Sequence, residues 1–589
     1  MNPRWPIALR AAISTAIPIV VGSATGNVGA GLIATLGAFT ARFGGDRPYL
    51  NRGAQLGVVA VALAAAVSVG SWAAPVPWVG VIVVSAVAVA AVWLCHALAV
   101  GPPGAYVFAL ACAAGVGVSA SRLAPWQIGA LVLAGGAVAW LVQMAGALRD
   151  LRRPERSAVA AAGAAVADYL DAVGSPEESA ARHRAATALH RAWNVLIAFQ
   201  PVDRLGDDTL QRLRATTHAL HVLFADSLAA APDSPSTAPH HGPSADAAAM
   251  ARLLGTLKQP PEAVPPRDPD RTPLGRPRSS ALLLHALRPG SHIRHVMVRV
   301  AIAAPVAGAA ATLLGIGHAY WAIAAAVLVL HQGSDRSGTL RRGADRLSGT
   351  WVGLILAGGV LLLHPQGWWL AIVVAGFQFV IEMLVTRNYR LASVFITAAA
   401  LTISTGTHRV DIGDLLLARG SDTLVGCAVG IAVFLVAIRF QEATRLSDSV
   451  ADTVAAAAAV SPHFAGDTGT LAARTARRDL QVAAIDLRDA ADAATAGSAP
   501  LREIARRLEP VVLAAERLAY ATIAACWAMD GRGCDPLLTA DAATGYGDQL
   551  RELAQAVRAG APPPEVPDAP AGLTADVAVL RAALQQNVR

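Results

Sequence analysis

Lysine is all but missing from this sequence: among 48 basic residues only Lys258 is one, and Gln259 follows it. A Gly-rich phosphate loop needs a lysine followed by Ser or Thr, so the chain has no Walker A site. Charge is scarce too, at 15% Asp, Glu, Lys and Arg, against roughly 25% in an ordinary soluble protein. The five cysteines, Cys95, Cys112, Cys427, Cys526 and Cys534, form no C-x-x-C pair and no zinc-ligand spacing. No disulfide framework, metal centre or cofactor is therefore expected. His240 and His241 stand in a polar tract without further ligands and read as solvated. No nucleophile with its base is recognisable, and an enzyme is not expected.

What fills the chain is apolar: 54% of its 589 residues are hydrophobic and mean hydropathy is +0.47. A bilayer-crossing helix needs about 20 mainly apolar residues. Such stretches fall at 7–23, 28–43, 54–72, 79–99, 105–120 and 128–148, and again at 296–314, 319–332, 347–363, 368–385, 391–405 and 415–438. The expected fold is all-α: a polytopic membrane protein of two tandem six-helix transmembrane repeats, 1–149 and 293–438. Polar sequence at 150–231 reads as a helical region with Leu189, Trp193, Leu196 and Ile197 at helix spacing. Residues 232–292, rich in Pro, Ser, Asp and Arg, read as a flexible linker broken by a short helical stretch around Leu253. Residues 439–589 read as a second helical region.

Arginine sets the orientation. With a cytoplasmic N-terminus, the inner segments hold Arg42, Arg47, Arg52, Arg149, Arg152, Arg153, Arg156, Arg336, Arg341, Arg342, Arg346, Arg387, Arg390, Arg439 and Arg445. Arg122 and Arg409 face outward, as do Trp72, Trp78, Trp126, Trp321, Trp368 and Trp369 at the outer interface. Both polar regions then lie in the cytoplasm, with a bacterial inner membrane as the location. The net charge of +7 is explained by this placement, and nucleic acid is not an expected partner. The expected partners are small organic anions and the lipid bilayer, with a homo-oligomer or an accessory efflux protein left open.

The two blocks resemble one another. GGDRPYLNRGA (44–54) aligns, with one insertion, on GSDRSGTLRRGA (333–344), and IGALVLAGG (128–136) on IGDLLLARG (412–420). Six spans per block make the repeats parallel, related by an axis along the membrane normal. Their chemistry has diverged. Between Gly53 and Ser121 there is no Asp, Glu, Lys or Arg, whereas Arg419 and Asp422 stand where the first block has Gly135 and Val138.

HAYWAIAAAVLVLHQGSDRSGTLRRGADRLSGTWVG (318–353), RNYRLASVFITAAALTIS (387–404) and ARGSDTLVGCAVG (418–430) resemble the fusaric acid resistance and aromatic acid exporter family. Ala398 departs from the proline frequent in that family. The resemblance implies efflux of aromatic carboxylates across the plasma membrane, driven by protons. A more distant likeness to plant aluminium-activated malate channels implies an anion-conducting alternative.

The candidate site residues follow from cost. Arg336, Arg342 and Arg346, with Arg387, Arg390 and Arg419, form the expected anion pathway, since focused positive charge concentrates anions; contact with lipid headgroups is the plainer alternative. Glu382 lies about 21 Å along the helix from Trp368 at 1.5 Å per residue. A carboxylate so deep is expensive and is either a proton site or the partner of an inner arginine such as Arg387 or Arg390. Asp422, three residues after Arg419, either exchanges a proton or neutralises that arginine. Tyr320 and Trp321 either stack an aromatic ligand or anchor the interface. His96 and His331 either relay protons or are simply hydrogen-bonded. The small-residue pairs Gly53/Gly57, Gly349/Gly353 and Gly426/Gly430 read as close helix contacts.

Overall fold

Six helices, each bounded by local signals, open the chain: α1 (Trp5–Ala24), α2 (Val28–Ala34), α3 (Tyr49–Ala73), α4 (Pro77–Ala97), α5 (Tyr106–Val118) and α6 (Pro125–Met144). Pro77 and Pro125 occupy first helical positions, where a missing N–H costs nothing. The Asn27 side chain accepts the Ala30 N–H and caps α2. The computed structural model describes residues 4–45, 47–118, 123–200, 208–229, 243–257, 274, 276–288, 291–316, 318–331, 336–405, 412–437, 445–466, 469–531, 536–567, 569–570 and 572–588.

Four helices follow: α7 (Arg153–Ala172), α8 (Glu178–Trp193), α9 (Asp208–Ala229) and α10 (Pro243–Gly255). After them come α11 (Ser279–Ala286), α12 (His292–Leu313), α13 (Ala319–Leu330), α14 (Arg336–Leu362), α15 (Trp368–Leu384), α16 (Tyr389–Thr405) and α17 (Ile412–Ala437). The chain closes with α18 (Arg445–Val460), α19 (Leu471–Thr495), α20 (Ala499–Gly531), α21 (Ala540–Ala559) and α22 (Thr574–Val588). No strand occurs among the described residues.

Two units divide the chain. The first joins residues 1–151 to 277–439, and the second joins 152–276 to 440–589. In the first unit seven helices are long and apolar enough to cross a membrane, and five shorter apolar helices complete the set of twelve anticipated segments. Two of these differ from the sequence reading. The segment at 28–43 is not one regular helix: α2 gives way to a 3-10 stretch over Thr35–Arg42. Gly37 in that stretch lies so close to α6 that a Cβ there would collide with the carbonyl oxygen of Val132. Close backbone contact, and not lipid thickness, sets its geometry. α14 begins eleven residues before the apolar run at 347, so Arg341, Arg342 and Arg346 lie on a helix. Hydropathy marks what lipid can cover, whereas backbone hydrogen bonding continues past that boundary.

Within this unit α3 packs on α5 and α6, and α14 on α16 and α17. α1 lies along α15, and α12 along α4. Each six-helix set thus lends its first helix to the other set's fourth.

The polar sequence is organised differently from the expectation of separate regions at 150–231 and 439–589. Both belong to one unit with two hydrophobic clusters, one built on Val159, Leu170, Leu189 and Phe224, the other on Val450, Leu480, Leu518 and Leu550. Phe224 meets Tyr520 edge-on at 5.6 Å, and His221 meets Trp527 at 4.8 Å. Arg182 and Arg488 each stand 4.0 Å from the buried Glu516 carboxylate. Burial pushes His190 and His221 down to about 4 and holds Glu516 above the usual carboxylate range. The short helical stretch expected around Leu253 is α10, which packs on α7 where Gly163 faces Gly255, because Ala248, Ala251 and Leu254 give it an apolar face. His240 and His241 lie outside the described residues.

Candidate functional site

α14 and α16 approach closely because Gly349 and Gly353 present no side chain: a Cβ at either would press on the Arg390 and Val394 carbonyl oxygens and on Ser393 and Thr397. This contact aligns Arg346 with α16. The Arg346 guanidinium is 3% exposed and donates to Ser393 Oγ at 3.3 Å. Its electrostatic neighbours are Tyr389 of α16, Cys427 of α17 and, from the first six-helix set, Tyr106 of α5. One turn deeper on α14, Thr350 Oγ1 is buried without a hydrogen-bond partner.

Arg419 of α17 is equally buried and lies within the electrostatic reach of Arg346. It does not pair directly with Asp422. The guanidinium instead lies over the Trp321 ring, 3.4 Å from its centroid, a cation–π contact strengthened where water is excluded. Asp422 is fully buried, and neither of its oxygens has a hydrogen-bond partner. The Tyr320 ring sits 5.5 Å from Trp321, with its hydroxyl directed at Gly117 of α5. Close approach between Gly426 of α17 and the Ala322 carbonyl of α13 brings these residues together. The centre thus contains two buried cations and one carboxylate, and it carries an excess of positive charge where charge is costly to hold.

A polar cleft of about 450 Å³ opens at the arginine-bearing end of the unit, lined in part by Arg341, Arg342, Arg387, Asn388, Tyr389 and Arg390. Asp345, itself 7% exposed, accepts from Arg390 Nε at 2.9 Å and lies 3.8 Å from Arg341. Tyr389 lines the cleft and stands beside Arg346, linking the open rim to the buried centre. Of the sequence candidates, Arg342, Arg387 and Arg390 are therefore at the rim, and Arg346, Arg419, Asp422 and Trp321 are at the centre, with Tyr320 beside them. The Arg336 side chain lies outside the described residues.

Glu382 joins neither group. It meets Arg42 of the first six-helix set, Nε to Oε1 at 2.8 Å, and accepts from Gln378 Nε2 at 3.1 Å. His331 stacks with Tyr106 at 5.9 Å and bonds the Val327 and Leu328 carbonyls. Tyr106, Tyr389, Ser393, Arg42 and Gln378 were not among the site candidates. Tyr389 had a signal in its Arg-Asn-Tyr motif; Arg42 and Gln378, 336 positions apart, had none.

These features define a polytopic α-helical membrane protein with a buried cationic centre in its second half. Within that half, residues 306–433 match a family model described as fusaric acid resistance protein-like, from within α12 to within α17. Similarity to a curated protein runs further. The uncharacterized membrane protein YvaC of Bacillus subtilis (strain 168) is 26% identical over 547 residues, covering 88% of this chain and 85% of that protein. No solved structure matches the chain.

Proposed function

We propose that this protein exports aromatic or other hydrophobic organic anions across a bacterial plasma membrane, taking them up at the Arg-lined cleft and passing them by the Arg346–Arg419 centre. The observation that carries the reading is the excess of buried positive charge. Two guanidiniums and one carboxylate leave a site that an organic carboxylate would neutralise, with its ring beside Trp321 or Tyr389.

The rim arginines raise the local concentration of anions before any contact is made. Asp422, without hydrogen bonds of its own, exchanges the coupling proton. The gathering of arginine at the cleft end makes that end cytoplasmic.

The test is purified full-length protein in liposomes, with radiolabelled 4-hydroxybenzoate flux and current recorded with and without an imposed pH gradient. Accumulation driven by the gradient is the expected result. Current without accumulation means a passive anion channel, and neither signal across a panel of organic anions turns attention to an assembly or regulatory role.

A further inference from the structure

Two of the contacts between the six-helix sets pair a first helix with a fourth, and these two crossings differ. Where α12 lies along α4, the contact is apolar: Ala303, Ala304 and Ala307 share a buried cluster with Val81, Val84 and Ala88. Where α1 lies along α15, Ile19, Leu370 and Val374 make a similar apolar seam. Beside that seam, near the α15 C-terminus, stands a polar triad. Arg42 Nε is 2.8 Å from Glu382 Oε1, Arg42 Nη2 donates to Gln378 Oε1 at 3.4 Å, and Gln378 Nε2 donates to Glu382 at 3.1 Å. The Arg42 and Glu382 side chains are only 15% and 11% exposed, and Phe39 packs against the guanidinium at 5.2 Å.

Arg42 closes the Thr35–Arg42 3-10 stretch. An eight-residue run of this kind is long for a geometry normally confined to three or four residues, and such runs mark hinges. Counting back from the aligned Gly44 and Gly333, the second block has His331 where the first has Arg42. His331 faces Tyr106, His96 and Arg342, with no carboxylate among these neighbours. Among the described residues the ion pair therefore fastens one of these two crossings, and it does so at a 3-10 stretch.

We propose that Arg42, Gln378 and Glu382 form a latch between the two halves, which holds the 3-10 stretch against α15 and must open for transport. Glu382 is then a positioning residue, and the proton carrier is Asp422, the buried carboxylate with no hydrogen-bond partner. This role rests on the transport reading above, but the latch itself is measurable without any substrate.

The experiment uses the full chain in lipid nanodiscs, with amide hydrogen exchange followed in peptides covering 28–43 and 368–385. Glu382→Gln and Arg42→Gln are each expected to speed exchange of the 3-10 stretch by roughly tenfold, and the reversed pair Arg42→Glu with Glu382→Arg to restore most of the protection. In proteoliposomes the same pair recovers 4-hydroxybenzoate flux that each single change loses. Unchanged exchange in both single variants overturns the latch, and so does a reversed pair that restores protection but transports without responding to the pH gradient. If the unaltered protein moves no anion, the transport reading fails and the exchange measurement alone decides the latch.

Discussion

The two membrane halves use the same helix pairings for different ends. In the first, α3 meets α5 and α6 meets α2 backbone to backbone: a Cβ at Gly70, Gly115 or Gly135 would collide with the carbonyl oxygen of Cys112, Val67 or Ala34. The Leu56, Val59, Leu63 and Val132 side chains fill the remaining space. In the second, α14, α16 and α17 meet through glycines as well, but Arg346 stands at the position aligned with Leu56, and Arg419 and Asp422 at those aligned with Gly135 and Val138. One arrangement is spent on packing, the other on holding charge out of water. A close glycine contact thus serves as scaffold or as site according to what its neighbours bury.

The sharpest break of this comparison is Arg346→Gln or Arg419→Gln. Proteoliposome flux should fall about a hundredfold, near 3 kcal/mol of lost charge stabilisation, while thermal stability in detergent holds or rises because an incompletely compensated buried charge is gone. Leu56→Met in the first half should leave flux within about twofold, since volume is conserved. Gly135→Val inverts the pattern. Its side chain has nowhere to go beside Ala34, and about 2 kcal/mol of stability should be lost, read as a lower thermal midpoint and less monodisperse protein.

Trp321→Leu sharpens the comparison at lower cost. It frees Arg419 from its ring, and flux should drop about tenfold, in line with a desolvated cation–π contact. The smallest effect lies in the polar unit, which also buries titratable groups. His190 and His221 have lowered folded values of about 4 against 6.5 when unfolded. Their contribution is therefore complete above 6.5 and is lost as pH falls from there toward 4, while Glu516, raised by burial, acts in the opposite direction. From pH 7.5 to 5.5 each histidine should remove about 1 kcal/mol. Faster amide exchange in α9 and α20 would report it, and His221→Phe should flatten the dependence.

Much of this was legible because it is local. Apolar length located the apolar helices, seven of them long enough to cross a membrane, and the Arg419–Asp422 spacing placed both on one helix. Hydropathy could not see that α14 runs on through Arg346, nor that 28–43 changes helix type, since neither depends on composition. Long-range pairing was invisible. Glu382 was recognised as a costly carboxylate in need of a partner, but Arg387 and Arg390, close by in sequence, turned out to face the cleft, and Arg42 is the residue that meets it. The same blindness split the polar unit in two, because helix faces such as that of Leu189 or Leu518 announce burial without naming what covers them.

The discontinuity of that unit sets an order of events during synthesis. Phe224 and His221 leave the ribosome well before Tyr520 and Trp527, their partners in the finished unit, and all of residues 277–439 must be made in between. At typical elongation rates the interval from Phe224 to Tyr520 is on the order of fifteen to sixty seconds. Throughout it the α8–α9 surface waits uncovered, open to chaperones and proteases, so a chain that stops before α20 leaves that surface as a degradation signal.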